Sequence, residues 1–360
     1  MATLRRLRPA RPPLTAKRPW RSGSAIIGAL TVLLMVSIVC ATFVGTANIG
    51  AADVISVIAR HLGLGSLAPT EPLPKLLDSL VWQARIPRVL LAGTVGMALA
   101  VSGAVLQSIT RNPLAEPYLL GVSSGASTGA VLIMVAGVGS GAIGLSLGAF
   151  IGALVSFAAV LLLIGGGTVA NPVRVVLTGV LVSQFFSAIT SMILMLTGDA
   201  DSTRGFTFWL LGSLSGARWD PLMIAAIIVV ASTAGCIYFA DALDTFTFGW
   251  DAATSLGINV TQARIILMIL TALMTAAAVA VSGAIGFIGL LIPHIVRILT
   301  GSLHRLLLPA SALAGAIFLI WVDALARTAF SPHELPVGVI TALLGAPVFA
   351  LVLRRGTIAR

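Results

Sequence analysis

Charge is scarce in this 360-residue chain. Only 9% of its residues are Asp, Glu, Lys or Arg, while 58% are hydrophobic. A soluble domain carries about 25% charged residues, so there is too little charge here to keep this much apolar side chain in water. That excludes a soluble globular class and leaves an integral membrane protein. Lysine is nearly missing: Lys17 and Lys75 are the only two, and no G-x-x-x-x-G-K-[ST] run occurs. The chain therefore has no P-loop to cradle a nucleotide. Cysteine is as rare. Cys40 and Cys236 both lie in apolar runs, which excludes a disulfide framework and suggests no metal site. The four histidines, His61, His294, His304 and His333, are too scattered to suggest a nucleophile–base pair or a metal cluster. All 12 acids fall in loops or near the ends of apolar runs. Ion-coupled carriers usually keep an ionisable group at membrane depth, and none is evident here. His294, in LLIPHIVR, comes nearest. Beside Pro293 and ahead of Arg297, it reads as a structural histidine bonded to backbone rather than as a proton relay.

What is present is apolar sequence in long runs. A helix needs about 20 mainly apolar residues to cross a bilayer, and ten such spans are predicted, near 25–45, 86–109, 118–138, 142–165, 173–197, 220–240, 261–282, 284–300, 305–326 and 337–353. The fold class is thus an all-α polytopic membrane protein. The net charge of +10 does not point to nucleic acid, because seven basic residues crowd the first 21 positions. Residues 1–24 read as a basic, membrane-hugging cytoplasmic arm, 25–355 as the transmembrane domain and 356–360 as a short cytoplasmic tail. With ten spans both termini share one side. That side holds 15 of the 22 Lys and Arg, as the positive-inside rule requires.

The sequence AVSGA starts at Ala100 and again at Ala280. The predicted topology orients these copies oppositely, which suggests an inverted internal repeat. Gly121, Gly125 and Gly129, and likewise Gly144, Gly148 and Gly152, recur every fourth residue and predict close helix packing. One stretch is unlike its surroundings. GWDAATSLGINV, from Gly249, reads as a short helix stopped by Gly257, inside a polar segment at about 241–260 that also holds Asp241, Asp244 and Asp251. A transporter with no engine of its own needs a partner, and this compact unit on the cytoplasmic side is well placed to dock on one; a plain connecting loop is the alternative.

RIPRVLLAGTVGMALAVSGAVLQSITRNPLAEPYLLGVSSGA (85–126) resembles the signature of FecCD-type permeases, the membrane subunits of ABC importers for iron–siderophores, haem and vitamin B12. FGWDAATSLGI, SGAIGFIGLLIPHIVR, HRLLLPASALAGA and ELPVGVITALLGAPVFALVLRR are similar to further family segments, in order, over about residues 80–355. The resemblance implies a type II ABC importer permease in the inner cell membrane, surrounded by lipid. It implies a second permease subunit, the same chain or a related one, two ABC ATPase subunits that bind ATP and Mg, and an external substrate-binding protein. No cofactor would be bound by this chain and no covalent chemistry done by it. Gly249, Asp251, Ala252, Ser255, Leu256 and Gly257 would form the ATPase-coupling helix. Arg85 and Arg88, three apart on one helix face, and Arg327 would dock acidic residues of the binding protein. The translocation path would run past Ser183, Gln184, Ser187 and Thr190, and the gate would lie at Asn171, Pro172 and Val173, where small hydroxyl residues are replaced. RGFTFWLLGSLSG, from Arg204, would add a short outer helix. The expected cargo is a ferric siderophore, with haem or cobalamin as alternatives on the same scaffold and an ion-coupled secondary carrier as the rival of another class.

Overall fold

A computed structural model describes residues 19–45, 49–137, 142–165, 172–197, 200–255, 257–331 and 333–354. Among these the regular structure is all helical. In chain order the helices are α1 (Pro19–Phe43), α2 (Ala51–His61), α3 (Lys75–Ser79), α4 (Ile86–Ile109), α5 (Val122–Ala136), α6 (Ala142–Ile164), α7 (Pro172–Thr197) and α8 (Ala200–Leu210). They continue as α9 (Trp219–Tyr238), α10 (Ala240–Phe246), α11 (Trp250–Ser255), α12 (Val260–Ser282), α13 (Ile288–Thr300), α14 (His304–Thr328) and α15 (Val337–Arg354). A π-helical turn, Leu80–Arg85, joins α3 to α4, so Lys75–Ile109 is one continuous helical run. Among the described residues, seven helices are long and apolar enough to cross a membrane. Three shorter apolar helices, α5, α13 and α15, fill the remaining places of the predicted ten. The helix expected from Arg204 lies earlier, at α8.

Burial ranks these spans. In α4 the apolar window is 83% buried, against 17% in α1 and in α7. The α4 helix is therefore the axis of the bundle, and α1 and α7 lie at its rim. Its main neighbour is α14, which runs antiparallel to it. Arg88 near the start of α4 reaches Asp323 near the end of α14, and Ser108 near the end of α4 reaches His304 at the start of α14. Between these points the two backbones touch. A Cβ added at Gly96 would sit 2.2 Å from the Gly315 carbonyl oxygen, and one at Gly315 would sit 2.4 Å from that of Gly96. Small residues permit this approach, which is how helices gain packing energy where lipid offers no hydrophobic drive. The fourth-residue glycines do the same between α5 and α6: Gly129 faces the Gly148 carbonyl and Gly125 that of Gly152.

Two of the short spans are short because the chain leaves the helix inside the protein. The α5 and α13 helices have 15 and 13 residues, roughly 22 and 20 Å of rise, too little for a bilayer core of about 30 Å. The α13 helix is preceded by irregular backbone and α5 by a 3-10 turn, Pro117–Leu120, and side chains at the second place satisfy the backbone at the first. The Phe287 N–H donates to Glu116 Oε1 at 2.9 Å. The Tyr118 hydroxyl donates to the Ile285 carbonyl and accepts from the Ile285 N–H, each at 2.8 Å. Non-helical backbone in a membrane is tolerated only when protein supplies its hydrogen bonds, and here a carboxylate and a phenol supply them. Glu116 lies between helices and Asp323 near the end of α14, as the sequence places its acids, yet Asp323 is fully buried and Glu116 is half-buried.

Pro293 inside α13 is handled in a similar way. It has no N–H to give the carbonyl four residues earlier, and Gln107 Nε2 of α4 donates to that Gly289 carbonyl at 3.1 Å. Gln107 Oε1 in turn accepts from Arg297 at 2.6 Å. His294 departs from the backbone-bonded histidine expected of it, because its buried Nε2 has no hydrogen-bond partner among the described residues.

The AVSGA copies differ in local role. The first lies within α4, where Gly103 receives the backbone of Gly289; the second straddles the end of α12, where Gly283 has φ +69°. Gly96→Val is expected to destabilise the chain by about 1–3 kcal/mol through overpacking against backbone that cannot yield. Thermal unfolding of the detergent-purified protein checks this: Gly28→Val, where no atom lies within 4 Å, should change the melting temperature far less.

Candidate functional site

At the α12-start end of the bundle, the segment 240–258 forms a compact double turn. The α10 helix buries Leu243 and Phe246 in the core. The chain breaks at Gly249, whose φ of +108° suits glycine alone. The six-residue α11 follows. It ends with the Ile258 N–H donating to the Ala253 carbonyl at 3.2 Å and the Gly257 N–H donating to the Thr254 carbonyl at 2.9 Å. With Gly257 at φ +82°, this is a Schellman stop. Two residues later Asn259 caps α12 by accepting from the Gln262 N–H at 3.1 Å. The predicted short helix with a glycine stop is therefore present, with Gly249 at its start, Asp251, Ala252 and Ser255 within it, and Gly257 after it. Leu256 lies outside the described residues, as do the side chains of Asp251 and Ala252. Ser255 and Phe248 are exposed.

This segment is tied to the bundle by polar bonds. Arg305 Nε and Nη2 donate to the two carboxylate oxygens of Asp241, at 2.9 and 2.7 Å. Asp244 Oδ1 accepts from the His304 backbone N–H at 2.9 Å and lies 2.6 Å from His304 Nδ1. The other ring nitrogen, Nε2, lies 2.6 Å from Ser108 Oγ of α4. The histidines that look scattered in the sequence thus include one at the centre of an Asp–His–Ser chain. It is not a hydrolytic triad. Ser108 is 6% exposed and His304 1%, and Ser108 Oγ also donates to the Ala104 carbonyl of its own helix at 3.0 Å. A substrate carbonyl could not reach that hydroxyl.

At the other end of the α4–α14 pair, roughly 30 Å away by helix rise over 20 residues, lies a buried ion network. Arg88 Nε donates to Asp323 Oδ1 at 3.0 Å and Oδ2 at 3.2 Å, and its Nη1 donates to Glu334 Oε2 at 2.9 Å. Arg327 Nε is 3.1 Å from Asp323 Oδ2, and its two Nη groups donate to the Val44 and Ala41 carbonyls that end α1. Arg85 packs beside them: a Cβ on Gly45 would fall 2.8 Å from its guanidinium carbon. This corrects the picture of three arginines presented to the outside. All three are buried in this conformation, and Arg88 and Arg327 are committed to carboxylates and carbonyls of their own chain. Asp323 and Glu334 were invisible as partners because they lie 235 and 246 residues from Arg88.

The α7 residues divide. Gln184 and Ser187 lie on its exposed face, and Ser183 is half-buried. Thr190 is corrected from the path to packing: it is 6% exposed, and its hydroxyl lies 2.8 Å from that of Thr128 on α5. Val173 is 59% exposed. Pro172 opens α7, and Asn171 lies outside the described residues, so the three gate positions are not seen as a unit. Groups of three or more potential metal ligands are absent among the described residues.

A polytopic bundle of this kind, with a stiff knob at one end and a buried ion network at the other, is a membrane permease. The chain belongs to the FecCD transport family, which it matches over residues 33–355. It is 42% identical over 329 residues, 89% of this chain and 91% of the relative, to the ABC transporter permease protein YvrB of Bacillus subtilis (strain 168). It is 42% identical over 282 residues, 76% of this chain and 84% of the relative, to the hemin transport system permease protein HmuU of Yersinia pestis. A solved structure of a metal-chelate type ABC transporter in an inward-facing conformation superposes with a TM-score of 0.78 at 30% identity, covering 92% of this chain and 99% of that one.

The ion network predicts unequal sensitivities. Asp323→Asn leaves two buried guanidinium groups short of countercharge and is expected to cost about 3–5 kcal/mol. Glu334→Gln removes a carboxylate that is 35% exposed and should cost about 0–1 kcal/mol. Melting temperatures of the two purified variants, side by side, check the order.

Proposed function

We propose that this chain is the permease subunit of an ABC importer that admits a ferric siderophore delivered by a substrate-binding protein. ATP hydrolysis belongs to separate ATPase subunits. The observation that carries the reading is the rigid double turn at 240–258 in a FecCD family member without a P-loop. A force-bearing contact needs a stop that does not fray, and the Schellman bonds at Gly257 supply one. Binding of ATP would draw two ATPase subunits together and push on this segment in each of two permease subunits. In this reading the segment faces the cytoplasm and both chain termini lie on that side, in keeping with the excess of arginine there.

The ferric chelate reading draws on the solved neighbour, a metal-chelate type transporter. Haem is the second reading, favoured by the hemin permease at 42% identity. Binding-protein docking would fall at the Arg85, Arg88 and Arg327 end. The exposed Gln184 and Ser187 of α7 would line the path, with a second permease subunit opposite and lipid around both.

Two measurements test this. Gly257→Val, where no atom lies within 4 Å, acts through backbone strain of roughly 1–2 kcal/mol. It should leave the bundle folded while ATP hydrolysis continues with reduced ferric chelate uptake in proteoliposomes of the whole complex. Uptake by the permease alone under an ion gradient, with no ATPase present, would instead establish the ion-coupled carrier.

A further inference from the structure

The Asp244–His304–Ser108 chain is costly to build and serves no chemistry. His304 is 1% exposed and Ser108 6%, so both polar groups were taken out of water and must be bonded to one another. Its members come from three elements: Asp244 from α10, His304 from the first turn of α14, Ser108 from the last turn of α4. The contacts are short, at 2.6 Å on each side of the imidazole, and Asp244 Oδ1 also holds the His304 backbone N–H at 2.9 Å. Other charged groups facing this point from α10 and α14 are Asp241 and Arg305, which pair with each other on the surface. The α4–α14 pair beyond the chain is stiff. Its backbones touch at Gly96 and Gly315, and its far ends are bridged by Arg88 and Asp323.

We infer that the Asp244–His304–Ser108 chain is the positioning link through which a displacement of the 240–258 segment passes to α4 and α14 as one body. The alternative attachment, Asp241 with Arg305, is water-exposed on both sides, with side chains 67% and 57% accessible. An exposed pair yields easily to water and salt. His304 and Ser108 do not, because slipping them leaves buried polar groups unsatisfied, while Asp244, 24% accessible, holds the imidazole from the rim. Leu243 and Phe246 pack the segment against the core, but apolar contacts are non-directional and permit sliding. The hydrogen-bonded imidazole fixes direction as well as distance. His304 therefore sets whether the knob and the α4–α14 pair move together or past each other.

This inference rests on the proposed coupling role of the segment, and the experiment separates the two. The complex with its ATPase subunits carries spin labels at Phe248→Cys, on the exposed edge of the segment, and Leu325→Cys, near the far end of α14, with Cys40 and Cys236 replaced by Ala. Phe248→Cys is first cross-linked to the ATPase; absence of a cross-link would overturn the coupling role itself. Given the cross-link, the label-to-label distance is measured without nucleotide and with ATP and vanadate. The expected result is one unchanged distance in the native link, a changed distance in His304→Gln and Ser108→Ala, and restoration in Ser108→Thr, which keeps the hydroxyl. In proteoliposomes the two slipping variants should hydrolyse about tenfold more ATP per ferric chelate imported, the factor that losing one ~1.4 kcal/mol hydrogen bond represents. A variant that merely folded poorly would lose both activities in proportion. An unchanged distance and an unchanged ratio in His304→Gln would overturn the link.

Discussion

The contact between the bare backbones of α4 and α14 at Gly96 and Gly315 is the constraint on which the bundle is assembled. In lipid, apolar side chains gain nothing by choosing a neighbour over a hydrocarbon tail, so close van der Waals approach and polar bonds decide which helices pair. The α4–α14 pair has both. The glycines bring the axes together at mid-length, and Arg88–Asp323 and Ser108–His304 fasten the ends. A pair fastened at three heights can neither slide nor rotate without breaking a buried bond. The rest of the molecule inherits its frame from that pair: α13 is keyed to α4 through Gln107, and α1 is held to α14 through the Ala41 and Val44 carbonyls on Arg327.

Against this stiffness stands the region where α5 and α13 begin. There the chain is unwound, and the bonds holding it come from two side chains, Glu116 and Tyr118. Phe287 adopts a left-handed φ of +70°, a conformation unfavourable for an aromatic residue and held here because its N–H is fixed by Glu116. Gly345 of α15 leaves room for it; a Cβ there would lie 2.6 Å from that of Phe287. Rigid and irregular parts thus occupy different helices, a division that suits a protein that must change shape without losing its fold.

Much of this was legible in the sequence. Each of the ten apolar runs became a helix, seven of them long and apolar enough to cross a membrane among the described residues, because length and hydropathy are set by the bilayer and leave little freedom. The glycine series at 121–129 and 144–152 announced close packing, and α5 and α6 do pack there. Gly249 and Gly257 marked the limits of the short helix by conformational need alone. What stayed hidden were pairings across long stretches of chain. Nothing near Arg88 names Asp323, nothing near His304 names Ser108, and Glu116 looks like a loop acid until Phe287 is seen beside it. Position near a span end predicts arginines that face water, yet Arg85, Arg88 and Arg327 are buried. Positional logic locates a residue along a helix; it does not say which way the side chain turns once another helix offers a carboxylate.

The junction between α11 and α12 has one further implication, for tolerance to length change. The stop at Gly257 and the cap at Asn259 are separated by Ile258 alone, so nothing in the joint can absorb an extra residue. One insertion within α11 would advance its helical phase by about 100° and swing Phe248 to a different azimuth relative to Ser255, even with every span intact. Among natural variants of this chain, the joint should therefore vary in side chain and stay constant in residue count.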